Sequence, residues 1–237
     1  MTQDVKEINA VLNESVAFAG DADQFVFGGA TTEKVTINAN GNTITFEQGS
    51  ATDDAKNYIS TANNVELVIE NAKINKTGAA NEDQFVHNLK FACPVTLKNV
   101  VSDKAFNVMS DATFENVTIK DAADVYAIWI QPLGQTVQLK GTNLIDGSRG
   151  IKIEKSRANG EVKKTYLNVD GTTFKTTKKA AVLVNTSAGA VITWGVNNIE
   201  DVAADDENAV WVDEDCPTVD YLKVEVNGCT KIPEPTL

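Results

Sequence analysis

Histidine is nearly absent from this chain of 237 residues: His87 is the only one. A single histidine excludes a His-cluster metal centre and any catalytic pair of histidines within one chain. Cysteine is scarce too, at Cys93, Cys216 and Cys229. An odd count excludes a fully paired disulfide scaffold, and the spacings fit no zinc motif. Apolar runs are short, and none approaches the roughly 18–20 residues of a membrane span. The start, Met1-Thr-Gln-Asp-Val-Lys-Glu7, lacks the basic region and apolar stretch of a signal peptide. Two expectations fit: the protein is used without Sec export, or Met1 stands in place of a removed leader. Bases are in deficit, 21 against 33 acids, for a net charge of −12. Bulk repulsion then argues against nucleic acid and anionic membranes as partners.

A repeat in two registers is what the sequence does contain. The first register is a short strand, then Asn or Gly, then another apolar residue. It reads Leu67-Val-Ile-Glu-Asn71, Val95-Thr-Leu-Lys-Asn99, Thr113-Phe-Glu-Asn116, Val137-Gln-Leu-Lys-Gly141 and Leu167-Asn-Val-Asp-Gly171. Copies continue at Ile192-Thr-Trp and Leu222-Lys-Val, after a looser opening at Val35-Thr-Ile-Asn. The second register is a small residue followed by apolar-x-apolar. It reads Ala105-Phe-Asn-Val108, Ala127-Ile-Trp-Ile130, Gly150-Ile-Lys-Ile153, Ala181-Val-Leu-Val184 and Ala209-Val-Trp-Val212. Each strand alternates with period two and so has one inward face. A single coil of this kind cannot bury its core, whereas stacked neighbours can. Amphipathic helices of βαβ type are missing. The pattern predicts an all-β protein, a single-stranded parallel β-helix of about eight coils; a β-sandwich would require longer strands and no fixed repeat.

The phrase Val35-Thr-Ile-Asn-Ala-Asn-Gly-Asn-Thr-Ile-Thr45 resembles the opening coil of right-handed parallel β-helix proteins of the pectate-lyase-like superfamily. At repeat level the resemblance spans about residues 15–230, and it implies fold more than function. Solenoid ends need covering, because an open rung is an unpaired edge. Asp4 and Glu7 fit a capping box, and Val5, Ile8, Val11 and Leu12 follow at helical spacing. Residues 1–14 are therefore expected to hold a short capping α-helix, with the β-helix over 15–230 and an extended tail over 231–237. Stacking also places Cys93 and Cys216 on distant coils, beyond disulfide reach. Cys229 falls in the expected core column of Ile74, Ile119, Leu144, Phe174 and Ile199.

In the second register the middle residue is expected to face outward. Coil by coil this gives Val26, Ile59, Val86, Asn107, Trp129, Lys152, Leu183 and Trp211. Three readings fit such a ladder: cover by a loop or the tail, an interface with another subunit, or a stacking platform for sugars. Charge is segregated as well. Residues 149–179 hold nine bases, among them Arg149, Lys152, Arg157, Lys163 and Lys164, against three acids. Residues 200–225 hold ten acids against Lys223. These stretches are either solvated surface or complementary patches between copies. Asp205, Asp206, Asp213 and Asp215 are candidate calcium ligands, but no calcium-loop pattern frames them.

Catalytic motifs are incomplete. Val210-Trp-Val-Asp213 faintly resembles the Trp-Ile-Asp-His motif of pectate lyases, but Glu214 stands where the histidine would be. The polygalacturonase set is represented only by Asp53-Asp54. A carboxylate pair drawn from two adjacent coils stays open among 33 acids. No catalytic residue, metal site or cofactor is expected. The stretch from Ala127-Ile-Trp-Ile-Gln-Pro132 through Arg149-Gly-Ile-Lys-Ile153 to Ala209-Val-Trp-Val-Asp-Glu-Asp215 resembles β-helix proteins of phages infecting gut Bacteroidales. That resemblance covers about residues 105–215. It implies a non-enzymatic virion component, such as a head decoration protein, head fibre or tail-associated protein. Its partners would be other virion proteins or copies of itself, and it would be made in the host cytoplasm. The alternatives are an extracellular or cell-surface protein that binds polysaccharide and, third, a polysaccharide lyase or hydrolase.

Overall fold

The computed structural model describes residues 5–20, 24–48, 58–77, 88–120, 125–147, 149–154, 161–176, 181–200, 210–212 and 219–227. The chain winds as a parallel β-solenoid with three faces, and every strand pairing is parallel. Face one opens with Glu7–Val11 and Lys34–Asn38, then the front halves of Glu66–Thr77 and Val95–Ser102. It continues through Ala112–Glu115, Thr136–Lys140, Thr165–Val169 and the front of Ala190–Ile199. Face two runs from Val16–Gly20 and Thr43–Gln48 through the rear of the long strands, Thr118–Ile119 and Asn143–Gly147 to Thr172–Thr176. Face three is a separate eight-stranded sheet from Gln24–Phe27 to Val210–Val212. Val219–Asn227 adds a ninth rung to face one by pairing with Ala190–Ile199, so the rung count differs slightly from the eight coils expected.

Period-two alternation turns every second side chain inward, and parallel register stacks those side chains into columns. On face one Val35, Leu67, Val95, Ala112, Val137, Leu167 and Ile192 stand in register and are all buried. Face two stacks Ile44, Ile74, Ser102, Ile119, Ile145, Phe174 and Ile199. Ile145, rather than the expected Leu144, holds the core position in that column; Leu144 pairs with Thr118 on the outer side. Cys229 lies outside the described residues. Each fully buried large apolar side chain contributes about 1.5–3 kcal/mol. Phe174 stacks on Trp194 with ring centroids 5.6 Å apart. Cys93 is buried, and burial pushes its thiol up to about 11, which suits a packing role.

The Asn and Gly of the first register make the corner between faces one and two. Asn71, Asn99 and Asn116 each adopt a left-handed backbone, with φ of 53°, 52° and 55°. Asparagine tolerates that region because its short amide hydrogen-bonds locally. Here the amides also bond along the solenoid. Asn71 donates to Asn38 at 3.3 Å, Asn99 to Asn71 at 3.0 Å and Asn116 to Asn99 at 3.1 Å. Glycine continues the corner at Gly141 and Gly171, where a Cβ would meet the Asn116 amide oxygen and the Gly141 carbonyl oxygen. Buried Asn143, two positions past Gly141, and buried Asn197, two past Gly195, add a second set of amides. Their amide oxygens accept from the backbone N–H of Val117 at 2.8 Å and Thr172 at 2.9 Å.

The N-terminal segment corrects the expected helix. Residues Glu7–Val11 form an extended strand paired with Lys34–Asn38, in the register Glu7 to Lys34 through Val11 to Asn38. Ile8 and Leu12 match a helical spacing, but they also match period two with Ala10 between them. The strand lets these three turn toward the core while Glu7, Asn9 and Val11 face out. Pairing with a preformed edge outweighs the intrinsic preference of one or two helical turns, which are marginal alone. Asp4 and the 231–237 tail lie outside the described residues.

Candidate functional site

Face three carries the sequence-expected ladder, and the register reassigns its first half. The outward column runs Tyr58, Lys90, Asn107, Trp129, Lys152 and Leu183, and the backbone of Trp211 pairs with Leu183. Ile59 is a core residue, 1% exposed, aligned with Phe25 and Phe91. Val26 is exposed but pairs with Ser60 in a different column. Val86 lies outside the described residues. The cause is parity: a one-residue slip between coils exchanges inward and outward positions.

The ladder is also not open to solvent. Asn107 is 3% exposed, Trp129 1% and Leu183 8%, so this stretch is buried on both sides. The indole Nε1 of Trp129 donates to the Glu154 carbonyl oxygen at 2.9 Å. Lys152 Nζ sits 4.7 Å from the Trp129 ring centroid and 5.1 Å from that of Tyr126. The same ammonium pairs with Glu154 at 2.5 Å, and Asn185 donates to that carboxylate at 3.0 Å. Arg149 lies 5.2 Å from the Tyr126 ring centroid, and Gln131 donates to Asn107 at 3.3 Å. Cations thus fill the ring faces that a sugar would need, each contact contributing up to about 2 kcal/mol where desolvated. The side chain of Trp211 lies outside the described set.

The segregated charges become neighbours once the chain is wound. Lys175 pairs with Glu200 on the next coil at 2.9 Å, because sequence blocks about one coil long stack directly. Lys163 lies against the coil before it, its N–H donating to the Pro132 carbonyl oxygen at 2.7 Å, and Lys164 follows it. Arg157 and the four aspartates considered for calcium lie outside the described residues. Among the described residues no group of three or more His, Cys, Asp or Glu side chains is placed to hold a metal ion.

Two features escaped the sequence reading. One is a shallow polar groove of about 170 Å³ on face one, lined by Glu66, Thr96, Asp111, Thr113, Thr136 and Gln138 among others. Thr96 donates to the Glu66 carboxylate at 2.7 Å, and Asp111 accepts the Thr136 N–H at 2.8 Å. Its legible signal was the polar middle residue of the first register, at Thr96, Thr113 and Gln138. The other is Lys76, buried beside Lys90 and Lys104. Burial first, and then those two cations, push its ammonium down to about 7. Lys76 donates to the Asn88 carbonyl oxygen at 2.9 Å.

The first rung is the other departure from a closed fold. Val5, Val11 and Val26 are 49%, 62% and 56% exposed. Behind them Ile8, Leu12, Val16, Phe18, Phe25 and Phe27 are only partly buried against the core. Phe18 contacts Phe27 edge-on with centroids 5.3 Å apart and leans on Phe46 at 5.6 Å.

No family model, curated protein or solved structure matches the chain.

Proposed function

We propose that this chain is a non-enzymatic structural or attachment protein that works through protein–protein contacts. The observation that carries the proposal is the first rung. Three of the exposed large apolar residues lie there, Val5, Val11 and Val26, beside core side chains that are only partly buried. Apolar side chains left exposed beside unpaired strand edges mark a surface open to another chain. The resemblance to phage β-helix proteins supplies the setting: a virion part, such as a head decoration, head fibre or tail-associated protein, made in the host cytoplasm. Its partners are other virion proteins or further copies of itself. The net charge of −12 disfavours nucleic acid and anionic membrane as partners. The test is immunogold labelling of purified particles from the source culture with antibody against the chain. Label on head or tail supports the proposal. Label confined to host-cell surfaces or culture fluid overturns it.

A second reading, polysaccharide binding by an extracellular or cell-surface protein, draws on the face-one groove. Hydroxyl, amide and carboxylate groups line it in rows set by strand stacking. Calorimetry with neutral and acidic oligosaccharides tests this reading, and absent heats remove it. Turnover of an acidic glycan in the same assay would instead establish the lyase or hydrolase alternative.

A further inference from the structure

We infer that the first rung pairs edge to edge with the first rung of a second copy, antiparallel, about a two-fold axis through Asn9. This rests on the reading above that the first rung is a protein-contact surface, and it names the partner.

Three strand edges end in this rung. Among the described residues Glu7–Val11 pairs only with Lys34–Asn38, Val16–Gly20 only with Thr43–Gln48, and Gln24–Phe27 only with Tyr58–Thr61. Unpaired strand edges template pairing with another chain. A single extended peptide would satisfy one edge and leave two, together with the apolar cross-section between them. A partner that covers all three needs three strands in the same triangular arrangement, which another copy of this solenoid has.

Copies could stack head to tail or head to head, and charge decides between them. Following the pairings upward, Thr136, Tyr166 and Val191 form one outward column, and Asp220 holds the next register position, paired with Val191. Glu7, Lys34 and Glu66 open that same column at the other end. Head-to-tail stacking in continuous register would set Asp220 beside Glu7, and like charges directly opposite destabilise a sheet. Antiparallel pairing about Asn9 instead sets Glu7 against Val11, and Ile8 against Ala10, of the second copy. Outward residues meet outward residues and inward meet inward. The two-fold axis reverses the winding, so Val16–Gly20 lies over Gln24–Phe27 of the second copy. Phe18 then faces the other chain's Phe25 and Phe27, closing the core with aromatic contacts.

The register gives a charge test at an exposed position, where folding is not at stake. Val11→Lys places an ammonium opposite Glu7 twice per dimer and should tighten dimerisation about 2- to 10-fold. Val11→Glu places a carboxylate there and should weaken it by a similar factor. Sedimentation velocity across roughly 1–100 µM protein reads both, a range over which weak and strong dimers separate. Asn9→Cys, in a Cys216→Ser, Cys229→Ser background, should form a dimer disulfide under mild oxidation. Opposed residues in antiparallel strands sit about 4.5–5.5 Å apart, within disulfide reach. A dimer with both signatures supports the inference. A monomer throughout, growth beyond dimers with concentration, or a dimer indifferent to residues 9 and 11 overturns it. A monomer that still labels particles would overturn the second copy while leaving the contact-surface reading standing.

Discussion

Asn99 carries two separable contributions to the corner, and two substitutions divide them. Its amide donates to Asn71 at 3.0 Å and accepts from Asn116 at 3.1 Å, while its backbone sits at φ 52°. Each hydrogen bond contributes about 0.5–1.5 kcal/mol. The ladder is exposed, so water replaces part of what is lost, and the pair together is set at about 1 kcal/mol. Asn99→Gly keeps the left-handed backbone free of strain and loses only the amide, for about 1 kcal/mol in total. Asn99→Ala loses the amide and also forces an ordinary L-residue into the left-handed region, which adds about 1–2 kcal/mol. The expected order is wild type, then Asn99→Gly, then Asn99→Ala at about 2–3 kcal/mol, or roughly 4–12 °C in melting temperature for a chain of this length. Urea unfolding followed by far-UV circular dichroism measures it. An alanine variant within 0.5 kcal/mol of wild type would refute both contributions. A glycine variant as unstable as the alanine variant would refute the backbone part.

Lys76 should make stability depend on pH. Its ammonium titrates near 7 in the fold against 10.5 in the unfolded chain. The unfolded state therefore holds more protons between those values, so stability rises as pH climbs from about 7 toward 10.5, and the dependence vanishes below 7. The full span is bounded at about 4–5 kcal/mol. Lys76→Met should stabilise the protein at pH 7 and flatten the urea midpoint between pH 7 and 9.5, and equal slopes in both proteins would sink the argument. Trp129→Ala should cost about 3–5 kcal/mol in the same assay, because it empties a fully buried site. A loss under 1 kcal/mol would return Trp129 to the solvent-facing ladder.

The candidate site was less legible than the fold, and particular residues show why. Asn71, Asn99, Gly141 and Gly171 mark the corner in the sequence because few residues accept a left-handed backbone. By contrast, whether Ile59 points in or out depends on a one-residue phase that loop lengths between coils do not reveal; Tyr58 and Lys90 hold that outer column instead. The face-one groove was half visible as Thr96, Thr113 and Gln138, yet Glu66 and Asp111 join it only through neighbouring coils. The segment over Glu7–Val11 satisfies helical and extended periodicity together, and pairing with Lys34–Asn38 resolves it.

The sequence by itself determined the parallel solenoid: short strands of period two, repeated in two registers with Asn or Gly between them, bury a core only by stacking. Tertiary structure alone decided the exposure of each outer face. It covered Trp129 with Lys152, brought Lys175 to Glu200, and left Val5, Val11 and Val26 exposed on the first rung. Inward burial follows from strand periodicity, which is local. Outward burial follows from which distant coil or chain end lies alongside, and no local pattern encodes that.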